Sequence, residues 1–245
     1  PLPAPAATAV AVFADIAAAG RAVAAVMATL TPSMLELMDN ATIRAVEQFQ
    51  PMGLDTSAQA ILVAQTDATG TGAIAEADAL LEICSRHGAV ESYRSDDPQE
   101  ADLLLGARRM AIPACEALGD WLLDDVSVPR SRLAEAMVRI QDIAAANDVQ
   151  ILTFGHAGDG NLHPTIVTPR GDAGAAARAL VAFDAILDLS LALGGTITGE
   201  HGVGALKNDA LTRELDSVAV ALHARVKQAW DPAGILNPGK ALPRW

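Results

Sequence analysis

The stretch Thr153–Thr165 restricts the folds open to this chain more than any other part of it. Two short apolar runs, 150–156 and 162–168, stand on either side of the turn sequence Gly158-Asp-Gly160. Two such runs joined by a small Gly-Asp-Gly turn are typical of a β-hairpin. A hairpin pairs its strands antiparallel, so this chain cannot fold around a wholly parallel sheet.

The rest of the chain alternates short apolar runs with longer, Ala-rich segments of helical periodicity. The predicted strands are 9–14, 35–38, 59–66, 90–95, 121–129, 150–156 and 162–168, and the predicted helices are 15–29, 40–49, 72–87, 98–118, 132–146, 172–193 and 208–229. Several strands carry polar residues at alternate positions, which favours antiparallel pairing. We therefore predict an α+β fold, with a largely antiparallel sheet, helices on one face, ferredoxin-like βαβ units and a helical C-terminal segment.

Individual residues indicate where some of these helices begin and end. Asn40 is predicted to cap the helix 40–49, because its side chain can accept a hydrogen bond from a free N–H group. Ser131 is predicted to cap the helix 132–146. Gly88 is predicted to end the helix 72–87, since glycine readily adopts the left-handed conformation that follows many helices.

Composition excludes some classes of partner. The formal net charge is −13 and no stripe of Lys and Arg is present, which argues against nucleic acid as a partner. Cys84 and Cys115 are isolated in apolar helical sequence and are predicted to be buried free thiols in a reducing compartment. No apolar run is long enough to cross a bilayer. We expect a cytoplasmic location and leave attachment to the inner face of the membrane open.

Two Gly-rich polar stretches contain the strongest candidates for a functional site. His156 and His163 flank the tip of the hairpin, where strand residues can point to the same side, and Glu200 lies in the second stretch, Thr198–Gly204. Two neutral imidazoles and a carboxylate form an adequate open site for Zn²⁺, Mn²⁺ or Fe²⁺. The alternative is that these histidines are ordinary surface or half-buried residues.

Other polar residues admit a functional and a structural interpretation. His201 follows Glu200 and could act as a base near neutral pH, or it could be structural. Arg108 could bind a carboxylate, or it could lie on a solvated helix face; Lys207 and Lys240 carry the same ambiguity. The stretch Gly70-Thr-Gly72 with Glu91 outlines a dinucleotide fingerprint, but its first glycine comes too late after the strand for that motif.

Three motifs of this chain resemble signatures of the C-terminal domain of FAD-linked oxidases, in the branch that contains D-lactate dehydrogenases, glycolate oxidase D subunits and D-2-hydroxyglutarate dehydrogenases. The motifs are Gly155-His-Ala-Gly-Asp-Gly-Asn-Leu-His163, Gly199-Glu-His-Gly-Val-Gly204 and Asp231-Pro-Ala-Gly-Ile-Leu-Asn-Pro-Gly-Lys240. The stretches Arg108–Ala114 and Asp125–Ser131 also resemble glycolate-oxidase-like members. The similarity extends over essentially the whole chain.

The resemblance implies a role for each candidate. His156, His163 and Glu200 would bind a divalent metal, zinc or manganese, and the metal would hold a 2-hydroxy acid. His201 would take the hydroxyl proton as a hydride leaves for the flavin, and Arg108 would pair with the substrate carboxylate. In the C-terminal tail, the resemblance places Asn237 and Lys240 beside FAD.

The resemblance also implies a division of the chain. Residues 1–8 are expected to be a linker from an N-terminal FAD-binding domain, 9–205 the cap or substrate-binding domain, and 206–245 a helix and tail that pack toward the FAD domain. Alone, the chain is expected to bind metal, to be inactive, and to expose an apolar surface through which it could form a homodimer. The electron acceptor is left open.

Three positions depart from the hydroxyglutarate members. Leu123, Ile112 and Thr165 stand where those proteins have Lys, Thr and Asn, which hold the distal carboxylate in that subgroup. We therefore expect a smaller substrate such as glycolate or lactate. Two alternatives stay open: a non-catalytic ferredoxin-like ligand-binding module, and a hydrolase that uses the metal to activate water.

Overall fold

An antiparallel sheet of eight strands forms the centre of the computed structural model, which describes residues 7–68 and 71–240. The strands are β1 (Ala7–Phe13), β2 (Met34–Asp39), β3 (Ala60–Thr66), β4 (Ala89–Ser95), β5 (Asp120–Leu123), β6 (Val126–Ser127), β7 (Gln150–His156) and β8 (Asn161–Thr168). Their order is β4-β1-β3-β2-β7-β8-β5, with β6 paired to β8. Every strand pair within the described residues is antiparallel, which confirms the predicted α+β class.

Helices connect most of the strands. They are α1 (Ile16–Met27), α2 (Asn40–Phe49), α3 (Gly72–Arg86), α4 (Pro98–Arg109), α5 (Ala111–Leu118), α6 (Leu133–Asn147), α7 (Ala173–Ala192), α8 (Leu211–Glu214) and α9 (Ser217–Trp230). The four strands β1 to β4, with α1 and α3 as crossovers, form a ferredoxin-like unit in the order β4-β1-β3-β2. Strands β7, β8 and β5 repeat part of that order, and the β2–β7 pair joins the two units.

The sheet is covered on both faces, whereas the sequence had predicted helices on one. Ala9 and Phe13 of β1 pack on a first face with α1, α3, α6 and α7. Val10 and Val12 of the same strand pack on a second face with α2, α4 and α5. In β1 and β3 both sets of alternate residues are mainly apolar, as expected of a strand that is buried on both sides. The functional candidates of the hairpin lie on the second face.

Two predicted helix caps are wrong. Asp39, not Asn40, caps α2: its Oδ1 accepts a hydrogen bond from the Thr42 amide at 2.8 Å. Asn40 is the first helical residue, and its side chain donates to the carbonyl oxygens of Thr56 and Ala58. Ser131 lies inside a 3-10 turn, 130–132, and α6 begins without a side-chain cap.

Three predicted elements are each divided in two. The helix 98–118 is broken at Met110, because Pro113 lacks the N–H that a continuous helix would use. The strand 121–129 is interrupted by Asp124 and Asp125, and the helix 208–229 is interrupted before Asp216, which caps α9. Gly88 follows the end of α3 with a φ of 96°, as predicted.

Two expectations about apolar sequence can be compared with the structure. Cys84 and Cys115 are both buried and free, as predicted. Within 7–68 and 71–240, none of the helices combines the length and the apolar character that spanning a membrane requires.

Candidate active site

The hairpin of β7 and β8 brings two histidines together on the second face. Phe154 and His163 are partners in the strand register, so His156 lies diagonally across from His163 on the same face. Their ring centroids are 5.3 Å apart and the rings are nearly perpendicular. Gly160 closes the turn between the strands with a φ of 74°, a conformation that glycine adopts without strain.

Glu200 reaches both rings from the second polar stretch. Its Oε1 lies 3.3 Å from Nε2 of His156 and 3.3 Å from Nε2 of His163. The three side chains that the sequence singled out therefore lie close together in the structure. His201 joins them: its Nε2 is 3.6 Å from the same oxygen, and its ring stacks on His163 with centroids 5.0 Å apart.

Glu36 belongs to this site and was not predicted from the sequence. It is the Cα partner of His156 in the β2–β7 pair, and Nδ1 of His156 is 2.5 Å from its Oε1. Its other oxygen, Oε2, accepts a hydrogen bond from Nε of Arg108 at 2.7 Å. A single charged residue within the apolar run Met34-Leu-Glu-Leu-Met38 is the signal that could have identified it.

Arg108 extends from α4 to the edge of the same cluster. Its side chain is largely buried, and its guanidinium carbon lies 4.7 Å from the centroid of the Phe154 ring. The hydrogen bond to Glu36 uses Nε of Arg108, so the two Nη groups are not engaged by that bond. Arg109, by contrast, forms an ion pair with Asp102 in which both side chains are exposed. Of the two neighbouring arginines, only Arg108 contacts the site.

Asp125 lies behind the cluster, between β5 and β6, and was also missed as a site residue. Its side chain is buried, and Oδ2 accepts hydrogen bonds from the backbone amides of Gly199, Glu200 and His201. The ammonium group of Lys207 donates to the carbonyl oxygen of Asp125 and to that of Ile197. Lys207 is thus a structural residue that fixes both sides of the loop containing Glu200.

The two hairpin imidazoles have opposite electrostatic environments. Burial lowers the pKa of His163 to about 4, so its ring is neutral at neutral pH and keeps a lone pair for a cation. For His156, burial opposes protonation, but the hydrogen bond and charge of Glu36 outweigh it and raise the pKa. The neutral ring of His163 and the ring of His156, which Glu36 holds, therefore face the same Glu200 oxygen.

The C-terminal candidates lie apart from this cluster. Asn237 has a φ of 46° and is exposed, as is Lys240, in the irregular segment that follows α9. None of the contacts within the described part of the chain joins either residue to the histidines. In the discounted dinucleotide motif, Gly70 falls outside the described residues, and Glu91 is exposed on β4, an edge strand.

Known protein sequences are similar to this chain over nearly its whole length. The family model described as FAD linked oxidases, C-terminal domain, matches residues 2–241. The glycolate oxidase subunit GlcD of Bacillus subtilis is 38% identical over 239 residues, which are 97% of this chain and 51% of that protein. The mitochondrial D-lactate dehydrogenase [cytochrome] of Arabidopsis thaliana is 31% identical over 231 residues, 92% of this chain and 40% of that protein.

Solved structures show the same fold at low sequence identity. The 4-ethylphenol oxidase from Gulosibacter chungangensis matches with a TM-score of 0.71 at 15% identity, covering 99% of this chain and 55% of that one. A p-cresol methylhydroxylase with substrate bound matches with a TM-score of 0.68 at 14% identity, covering 99% and 54%. The chain spans about half the length of the curated relatives that it matches.

Proposed function

The chain belongs to the family of FAD linked oxidases, as their C-terminal domain, and from this premise we propose that it is the substrate-binding part of an FAD-dependent oxidoreductase of 2-hydroxy acids. The observation that carries the proposal is the meeting of His156, His163 and Glu200 at one point, with Arg108 at its edge. Membership of an oxidase family disfavours both alternatives, the non-catalytic module and the hydrolase.

The donor atoms suit a divalent cation, and we infer zinc or manganese. Ligands about 2.1 Å from a tetrahedral zinc lie roughly 3.4 Å from one another, and both Glu200–histidine separations are 3.3 Å. Nδ1 of His156 is engaged by Glu36, so Nε2 presents its lone pair to the cation, as in carboxylate–histidine–metal arrangements. When bound, the cation would lower the pKa of a coordinated hydroxyl.

Residues of the chain supply binding and proton transfer in this proposal. Arg108 would bind the substrate carboxylate through its Nη groups while Glu36 and Phe154 hold the guanidinium in place. His201 would take the proton of the 2-hydroxyl, because its ring is half exposed and stands beside Glu200. FAD, when bound, supplies the acceptor for the hydride from C2, which leaves a 2-oxo acid.

Three side chains, Leu123, Thr165 and Ile112, favour a small substrate such as glycolate or D-lactate. Leu123 and Thr165 are Cα partners in the β5–β8 pair, and the Thr165 side chain is buried and donates to the His163 carbonyl oxygen. Ile112 is partly exposed on α5. These three side chains offer no cation to a second carboxylate, so a longer dicarboxylic acid would gain nothing from them.

The C-terminal segment supports the proposed division into a cap, 9–205, and a part that packs toward an FAD-binding domain, 206–245. Within the described residues of α9, only Val220 is buried. Four exposed apolar residues follow one another at helical spacing on this helix: Val218, Leu222, Val226 and Trp230. We propose that this apolar stripe contacts the FAD-binding domain and that Asn237 and Lys240 approach FAD. A homodimer through the stripe is the competing arrangement.

The experiment that tests the proposed function has two arms. Protein purified without chelators is assayed for zinc and manganese, and we expect about one equivalent, lost in Glu200→Gln. The chain is then joined to an FAD-binding domain, and flavin reduction is followed with glycolate, D-lactate and 2-hydroxyglutarate. Reduction by the first two is expected. A protein that binds no divalent cation, or a flavin that none of these acids reduces, would overturn the proposal.

We place such an enzyme in the cytoplasm, with any contact to the inner membrane face depending on its electron acceptor.

A further inference from the structure

The carboxylate of Asp125 is divided between two tasks. Oδ2 accepts four hydrogen bonds, from the Thr198 hydroxyl at 3.2 Å and from the amides of Gly199, Glu200 and His201 at 3.0, 2.9 and 2.8 Å. Three consecutive amides that converge on one oxygen form an anion-binding nest. This oxygen therefore determines the path of the exposed backbone that holds both Glu200 and His201.

The other oxygen faces His163. Asp125 Oδ1 and His163 Nδ1 are 3.8 Å apart and both are buried. Among the residues that the structure describes, neither atom has a hydrogen-bond partner. A buried acceptor and a buried ring nitrogen without partners are costly unless they serve each other. Nε2, on the opposite side of the same ring, lies 3.3 Å from Glu200.

From this arrangement we propose that Asp125 is a positioning residue for the site, fixing Glu200 and His201 through their backbone and setting the tautomer of His163. With the proton on Nδ1 directed to Asp125 Oδ1, Nε2 keeps the lone pair that a cation requires. The role toward the cation rests on the proposed function, whereas the tautomer and the loop path do not. Because Oδ2 is already occupied by four donors, Oδ1 is the oxygen of Asp125 that is left to act on His163.

Substitution by asparagine separates the two tasks. In Asp125→Asn the amide oxygen must face the nest, because an NH₂ group there would meet three N–H donors. The NH₂ group then faces His163 Nδ1 as a donor, and it favours the tautomer with the proton on Nε2. The variant should keep most of the loop structure and yet lose the free lone pair of His163. Cation affinity should fall about 10- to 100-fold, the range seen when residues behind metal ligands are removed.

The test is nitrogen NMR of the imidazoles in the metal-free chain at neutral pH, combined with hydrogen exchange of the amides of 199–201 and cation titration. We expect Nδ1–H for His163 in the original protein and Nε2–H in Asp125→Asn. The matched control is Glu214→Gln. The Glu214 carboxylate accepts a hydrogen bond from the Ile197 amide but faces no imidazole. In this variant the His163 tautomer and the cation affinity should be unchanged.

The results distinguish this inference from the proposed function. The same His163 tautomer in both proteins, or Nε2–H in the original protein, would overturn the role of Asp125 whatever the cation data show. Absence of cation binding by the original protein would instead overturn the proposed metal site and leave the tautomer result valid. If Asp125→Asn does not fold, the tautomer in the original protein alone decides, because Nδ1–H is required there.

Discussion

Glu36 of β2 and His156 of β7 are Cα partners in the strand register, and their side chains meet with Nδ1 of His156 2.5 Å from Oε1 of Glu36. The pair lies at the junction of the two ferredoxin-like units, because β2 and β7 are the strands through which those units join. Glu36 also holds Arg108, so one buried carboxylate links a candidate metal ligand to the candidate carboxylate-binding group.

Replacing Glu36 by Gln should weaken cation binding about 10- to 100-fold, because His156 loses the charged acceptor that orients its ring. The measurement is competition for Zn²⁺ and Mn²⁺ with a chelating indicator. Glu91→Gln, on an exposed position of β4, is the control and should leave affinity unchanged. Equal affinity in the original protein and Glu36→Gln would contradict the link between Glu36 and the cation.

Arg108→Lys should raise KM for glycolate or D-lactate, because an ammonium cannot form the two parallel hydrogen bonds of a guanidinium. A charged hydrogen bond is worth about 1.5–3 kcal/mol, which corresponds to a loss of roughly 10- to 100-fold in kcat/KM. The measurement is steady-state kinetics of the FAD-containing protein. Arg109→Lys is the matched control, since Arg109 pairs with Asp102 in solvent. Unchanged kinetics in both variants would remove Arg108 from the substrate site.

His201→Asn should lower kcat by about 10²- to 10⁴-fold, the usual effect of losing a general base. Cation affinity should hardly change, because His156, His163 and Glu200 keep their donor atoms. The rate of flavin reduction and the cation titration are measured on the same preparation. His87→Asn, at the end of α3, serves as the control. A parallel loss of cation binding and rate would make His201 a ligand, not a base.

Asp39 should make the folded protein less stable as the pH rises. Burial raises the pKa of Asp39 from 3.8 to about 6 in the folded state. Between these values the folded state binds more protons than the unfolded state, so the free energy of unfolding falls as pH increases. The total effect is about 3 kcal/mol at 1.36 kcal/mol per pKa unit. Relative to the original protein, Asp39→Asn should therefore gain stability between pH 4 and pH 7, as measured by denaturant unfolding.

Asp55→Asn should change the pH dependence of stability in the opposite direction, and it serves as the control for Asp39→Asn. Hydrogen bonds from the side chain and backbone of Ser57 lower the pKa of the exposed Asp55 carboxyl. Its contribution to stability is present above the unfolded pKa and is lost as the pH falls through the folded pKa. Asp55→Asn should thus lose stability relative to the original protein as pH rises. If the stability of both variants changed with pH in the same direction relative to the original protein, the raised pKa assigned to Asp39 would be refuted.

Placing glutamates at Leu222 and Val226 together should weaken association with an FAD-binding domain. Both side chains are exposed on the α9 stripe, and burying one such residue is worth about 1.5–3 kcal/mol, so losing two should weaken association by roughly 10²- to 10⁴-fold. Co-purification of the two parts and FAD content are the measurements. Gln228→Glu lies on α9 outside the stripe and should associate normally. Full association of the double variant would place the interface elsewhere.

Local patterns in the sequence were sufficient for the sheet type and most element positions. The Gly158-Asp-Gly160 turn required a hairpin, and β7 runs over the residues predicted for it. The same local information placed His156 and His163 on one face, because side-chain direction alternates along a strand. It failed at Asp124 and Asp125, which lie within the single predicted strand 121–129 but interrupt it in the structure, where both side chains are buried.

Only the tertiary structure determined which distant residues complete the site. Glu36 meets His156 because β2 and β7 pair across the centre of the sheet, and Asp125 meets the 198–201 loop because of where β5 and β6 end. Strand pairing between segments far apart in the chain depends on how all the apolar faces pack together, and neighbouring residues contain little of that information. The sequence by itself therefore determined the candidate site residues at the hairpin, whereas the long-range pairing of strands decided which buried carboxylates hold them in place.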